Sequence, residues 1–262
     1  MRTRRWLQAA ILLLLGLYLI ETLLTGEIAY YIGERFDWLA LTGGVVFLLL
    51  GIASVSALLR EQPDSEAGHS HDHAHDHHHD HDHDHDHVHG AAVSWPVLAI
   101  FCVPLVLGIL LPARPLGASA IGTSGITTSL NVTTGAIESQ TFSVAPTERN
   151  VLDWVRAFSA SPDPQEFIGQ PADLIGFVYR DVRFETETQL MVARFAVSCC
   201  VADALAIGII VETSGAAQWP QDSWVRVRGN FTVREFEGQR APVLVAESII
   251  ETAMPDRPYL YP

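Results

Sequence analysis

The chain has 262 residues, 48% of them hydrophobic, and a formal net charge of -14 from 30 acidic and 16 basic residues. Every basic residue is an arginine and the arginines are scattered, so there is no cationic stripe for phosphates and a nucleic-acid partner is excluded. Three cysteines, Cys102 and the adjacent Cys199 and Cys200, are too few for a disulfide framework and lack the separated pairs of a zinc ribbon.

Residues 1–112 read as a membrane region. Spans are expected over residues 6–24, 38–59 and 95–111, each close to the roughly 20 apolar residues that cross a bilayer. Trp6, Trp38 and Trp95 open them, as interfacial anchors do. Pro104 kinks the third, which neighbouring helices tolerate. Arg2, Arg4 and Arg5 place the N-terminus in the cytoplasm by the positive-inside rule. Parity then puts residues 25–37 outside, the loop of residues 60–94 inside, and everything after the third span outside the cytoplasm. Gly44 and Gly51 share one face of the second span, suited to packing within the chain or onto a partner helix.

The loop holds every histidine of the chain: His69, His71, His73, His75, His77, His78, His79, His81, His83, His85, His87 and His89, interleaved with aspartates. Neutral imidazole beside carboxylate oxygen is the donor set that zinc, nickel or cobalt accepts. Because each ion must also offset the entropy of ordering a flexible segment, exchangeable sites of modest affinity are expected rather than one closed centre. The same imidazoles titrate near neutrality, which makes the loop equally readable as a pH sensor.

Residues 113–145 are rich in Gly, Ser, Thr and Ala and read as an extended linker. The soluble domain occupies residues 146–262. It begins with a helix over 147–158, Thr147 as its N-cap, and continues through five strands: 173–179, 190–199, 204–212, 224–235 and 243–251. Val225 and Val227 alternate with Trp224, Arg226 and Arg228, which gives that strand one core face. The fold class is therefore an α-helical membrane region followed by an α+β to all-β domain, an OB-like five-stranded barrel with a preceding helix; a β-sandwich fragment is the alternative.

Four runs carry a resemblance to a known family: Thr25-Gly26-Glu27-Ile28, Leu111-Pro112-Ala113-Arg114-Pro115-Leu116, Arg194-Phe195-Ala196-Val197-Ser198-Cys199-Cys200-Val201-Ala202-Asp203-Ala204, and Pro258-Tyr259-Leu260-Tyr261-Pro262. On these the chain resembles the YcgQ-like bacterial membrane proteins, described as subunits of a two-component membrane permease complex. The resemblance implies a polytopic permease as partner and a role in solute transport.

Cys199 and Cys200 end an expected strand, so their side chains should point to opposite faces, which weakens a chelate. With Asp203 they form a candidate thiol or ligand site, for a soft metal or a redox switch, against the reading of one core and one surface cysteine. No histidine stands outside the loop to act as a general base and no phosphate-cradling glycine loop occurs, so the chain is read as non-enzymatic. The expected function is that of an accessory permease subunit in the lipid bilayer whose His-rich loop binds or senses divalent metal near the partner's pore. The alternative is a stand-alone membrane-tethered metal or pH sensor, with a redox protein working through Cys199 and Cys200 as a third class.

Overall fold

The computed structural model describes residues 2–60, 95–111, 113–121, 126–128, 144–181, 183–185, 187–236 and 238–262. The chain forms two compact units, residues 1–24 with 38–112 and residues 25–37 with 113–262. The whole His-rich segment, His69 to His89, lies outside the described residues.

The first unit contains α1 (Arg2–Thr25), α2 (Asp37–Arg60) and α3 (Trp95–Leu110). On length and composition α1 and α2 qualify as membrane-crossing helices, while α3 is a shorter apolar helix interrupted by Pro104. Glycine sets how closely they approach. A Cβ added at Gly16 would stand 2.9 Å from the Gly44 carbonyl, and one at Gly51 would stand 2.6 Å from Leu13. Both glycines of α2 singled out in the sequence are thus taken up by packing on α1. One at Gly108 would meet the Tyr18 hydroxyl at 2.6 Å, so α3 uses the same device. Thr42, Ser54 and Ser56 return their hydroxyls to the carbonyls one turn back, at 2.6, 2.8 and 2.8 Å, which leaves their apolar surroundings no orphan donor.

In the second unit the helix is α4, Val151–Ala160, and its cap is Asn150 rather than Thr147. Asn150 Oδ1 accepts the amides of Leu152 and Asp153 at 2.8 and 3.1 Å, and Asp153 Oδ2 accepts the Asn150 amide at 3.1 Å. This reciprocal box satisfies donors that Thr147, held in a short 3-10 turn at Pro146–Glu148, does not reach. Val151, Leu152, Trp154 and Val155 are buried on the sheet, with the Trp154 and Phe231 rings 4.6 Å apart.

Six strands follow: β1 (Pro171–Tyr179), β2 (Gln189–Ala196), β3 (Leu205–Glu212), β4 (Trp224–Phe236), β5 (Gln239–Glu251) and β6 (Tyr259–Leu260). They make one sheet in the order β1-β4-β5-β3-β2-β6, with a further β1–β2 pairing. The pairing therefore returns on itself through five strands. Two joints are short: β1 meets β2 over Phe177–Tyr179, and β3 meets β5 in parallel through Val211 with Leu244 and Glu212 with Val245. The strands do not sit evenly round one axis, so the expected barrel holds as a six-stranded sheet and not as a regular barrel.

The strands differ from the sequence reading in several bounds, most at β5, which begins at Gln239 rather than at residue 243. The second strand stops at Ala196, because the Val197 amide turns to the Leu260 carbonyl at 2.9 Å and the next amides turn to a side chain. The sixth strand, unexpected, pairs parallel to β2 through Phe195 with Tyr259 and Ala196 with Leu260. In the stretch read as a linker, residues 113–121 and 126–128 lie against the domain, with Ala118 and Ile126 buried. The Thr127 amide donates to Ala206 O at 3.0 Å and the Gly208 amide to Thr127 O at 3.2 Å, so this segment extends the free edge of β3.

Candidate functional site

Arg194 is the one member of its motif run whose side chain enters the interior as a charge; its exposure is 6%. Three backbone carbonyls accept from it: Pro258 O at 2.8 Å, Arg257 O at 3.1 Å and Ile175 O at 3.2 Å. Its guanidinium lies 5.1 Å from the Trp224 ring centroid. Burial lowers its pKa to about 10, which still leaves it charged at neutral pH. One side chain thus ties β1 and β2 to the segment leading into β6.

That tail receives the connection between α1 and α2. The Tyr259 hydroxyl donates to Tyr30 O at 3.3 Å and accepts the Leu116 amide at 2.9 Å. The Tyr261 ring lies where a Cβ on Gly33 would approach it to 3.2 Å, Arg35 donates to Pro262 O at 3.2 Å, and Arg257 pairs with Asp37 at 3.2 Å. Ile32 forms an antiparallel bridge with Cys200, framed by Gly33 N to Cys199 O at 3.0 Å and Val201 N to Tyr31 O at 2.9 Å. Three of the motif runs, through Leu116, the Arg194–Val201 stretch and the Pro258–Pro262 tail, meet in this one cluster of the second unit, together with Tyr30–Asp37, which follow the first run.

At its surface lies the predicted thiol site. Asp203 Oδ1 accepts the Ser198 amide at 2.9 Å, and Oδ2 accepts both the Cys199 amide at 2.8 Å and the Cys199 thiol at 3.0 Å. These donors hold the Asp203 carboxyl below its usual range, the Cys199 thiol being the largest cause. The converse holds for Cys199: facing Asp203, and then Cys200, its pKa rises to about 11. Because both cysteines lie in a turn beyond the end of β2, their sulfurs do not point to opposite faces; they are 3.8 Å apart, with Cys199 exposed and Cys200 half-buried. By accepting the Ser198 and Cys199 amides Asp203 caps the turn; among the described residues no group of three His, Cys, Asp or Glu side chains is arranged to hold a metal ion.

A cleft of about 390 Å³ in the second unit, between the open parts of β3 and β5, is not legible in the sequence. Met191, Ile209, Phe158 and Phe236 line it with Arg183 and Arg240. Its walls come from segments that no local pattern connects. Elsewhere on β4, Arg226 and Arg228 converge on Asp173 at 2.6 and 2.8 Å.

Two measurements check this arrangement. Replacing Arg194 by Met leaves three carbonyls without a donor, and should cost about 2–4 kcal/mol, read as a lower thermal midpoint of the full chain in detergent. Asp173, Asp181 and Asp203 all have depressed pKa values, the first two mainly through hydrogen bonds from Arg226 and Arg183. Their contribution is complete above the ordinary aspartate value of 3.8 and is lost as pH falls through the depressed values. The midpoint should therefore be flat down to about pH 5 and fall below about pH 4, less steeply in Asp173→Asn.

Comparison with known proteins agrees with the resemblance carried by the motif runs. The DUF1980 N-terminal domain matches residues 7–127 and the DUF1980 C-terminal domain matches residues 130–262. The chain is similar to UPF0703 protein YcgQ of Bacillus subtilis, with 26% identity over 90% of this chain and 92% of that protein. It is also similar, at 22% identity over 94% of each chain, to a Streptococcus mutans protein named "Putative two-component membrane permease complex subunit". With both of its domains matched along nearly the whole length, the chain belongs to the DUF1980 family.

Proposed function

We propose that this chain is the accessory subunit of a two-component membrane permease, crossing the bilayer three times and carrying an OB-like domain on the outer side. The name of the Streptococcus mutans relative supports the permease reading. The observation that carries the topology is the place of residues 25–37, which belong to the same compact unit as residues 113–262. The backbone hydrogen bonds from the Val201 amide to Tyr31 O and from the Gly33 amide to Cys199 O support a placement of the α1–α2 connection and the C-terminal domain on one side. The chain between them then crosses an even number of times. If α2 crosses, α3 crosses as well, in spite of its 16 residues and Pro104. The positive-inside reading of Arg2, Arg4 and Arg5 puts the N-terminus and the loop of residues 60–94 on the cytoplasmic side. The cycle of strand pairings supports an OB-like arrangement.

In this reading the His-Asp loop gathers zinc, nickel or cobalt at the cytoplasmic mouth of the partner, and the outer domain docks on the partner or on its solute. Imidazole and carboxylate donors at this density support metal capture by many exchangeable sites.

Affinity purification of the full chain from native membranes in mild detergent should recover a polytopic membrane protein in near-equal amount; a chain that purifies alone favours a tethered sensor and removes the subunit reading. Titration of the purified chain with zinc should show several ions bound per chain with micromolar to submillimolar affinity, and deletion of residues 69–89 should abolish this binding without lowering the thermal midpoint. Equal zinc binding by the deletion variant sinks the metal assignment.

A further inference from the structure

Cys199 and Cys200 combine three features that no role in packing requires: they are adjacent in sequence, their sulfurs are 3.8 Å apart, and one of them is exposed. Their backbone is also the seat of the α1–α2 connection, since the Cys199 carbonyl accepts the Gly33 amide and Cys200 bridges Ile32. We propose that the Cys199–Cys200 pair is a reversible dithiol–disulfide site whose oxidation loosens the segment Tyr31–Gly33 from the C-terminal domain.

The reaction is a thiol–disulfide exchange with a disulfide-bonded thiol oxidoreductase, the class of oxidant found outside the cytoplasm; the proposal rests in this respect on the outward placement of the domain. The Cys200 sulfur attacks one sulfur of the oxidant, whose disulfide breaks and whose other sulfur leaves as a thiol. The Cys199 sulfur then attacks Cys200 in the mixed disulfide and displaces the second oxidant thiol. Two electrons and two protons pass from the pair to the oxidant. Asp203 biases the resting state, because its hydrogen bond keeps Cys199 as the thiol.

Closing the ring draws the sulfurs from 3.8 Å to a bond of about 2.05 Å. Adjacent Cα atoms are held about 3.8 Å apart, below the roughly 4.4–6.8 Å that disulfides prefer, so the bond is strained and easily reduced. The movement ends the Cys199 thiol bond to Asp203 and turns the peptide that presents the Cys199 carbonyl to Gly33.

The test uses the purified full chain, reduced and then treated with diamide, which takes up the two electrons and two protons as the hydrazine. Cleavage after Arg194 and Arg226 leaves both cysteines in one peptide, without Cys102. The expected result is a peptide lighter by two hydrogens and resistant to alkylation, with amide exchange at Gly33 and Val201 about tenfold faster, as loss of roughly one hydrogen bond's local stability predicts. Dithiothreitol should reverse both changes. Cys199→Ser and Cys200→Ser should each abolish them, so either one serves as the control if the other does not fold. Cysteines that both remain alkylatable, or a disulfide that leaves exchange at Gly33 and Val201 unchanged, overturns the proposal. A membrane-impermeant maleimide on intact cells, first reduced with a membrane-impermeant phosphine, reads the placement separately: absence of labelling at Cys199 overturns the outward domain and this source of oxidant, whereas an unchanged peptide mass overturns the switch itself.

Discussion

An arginine buried without a carboxylate is an expensive group, and Arg194 is tolerated because three carbonyls and the face of Trp224 take the place of water around it. The rest of the second unit depends on this exchange. Two of the carbonyls belong to Arg257 and Pro258, so the guanidinium fixes the point from which Tyr259 and Leu260 enter the sheet as β6. The third belongs to Ile175 of β1, where β1 and β2 have already diverged from their three paired residues. A lysine would offer a single ammonium in place of the planar fork that reaches all three.

Once the tail is fixed, it becomes a surface on which other segments assemble. Tyr259 links Leu116 to Tyr30, Tyr261 lies against Gly33, and Arg257 reaches Asp37. Asp203 completes the arrangement from the other side by shaping the turn that presents Cys199 and Cys200 to residues 31–33. Three of the motif runs and the α1–α2 connection therefore form one structure. The tail and the α1–α2 connection are elements of the C-terminal domain, although one of them lies at the far end of the sequence from it.

The helical unit obeys a simpler constraint. Contact between its helices depends on close approach, and Gly16, Gly44, Gly51 and Gly108 supply it. Large apolar side chains such as Leu49, Ile52 and Ile109 remain exposed on the other faces.

The sequence by itself determined the apolar helices, the helix before the sheet, and most strand positions, because these follow from local hydrophobic length and period. It also determined the donor chemistry of the His-Asp loop, a property of composition alone. Tertiary structure decided the rest. Thr147 looks like a cap until the Asn150–Asp153 box shows where the amides go. Cys199 and Cys200 alternate on paper, but Asp203 draws the chain out of the strand and brings the sulfurs together. Residues 25–37 read as a short loop, and Gly-rich residues 113–128 as a spacer, because their hydrogen-bond partners are more than seventy positions away. Local pattern records what a segment can become, whereas contacts between distant backbone groups decide which of those forms satisfies every buried donor and acceptor at once.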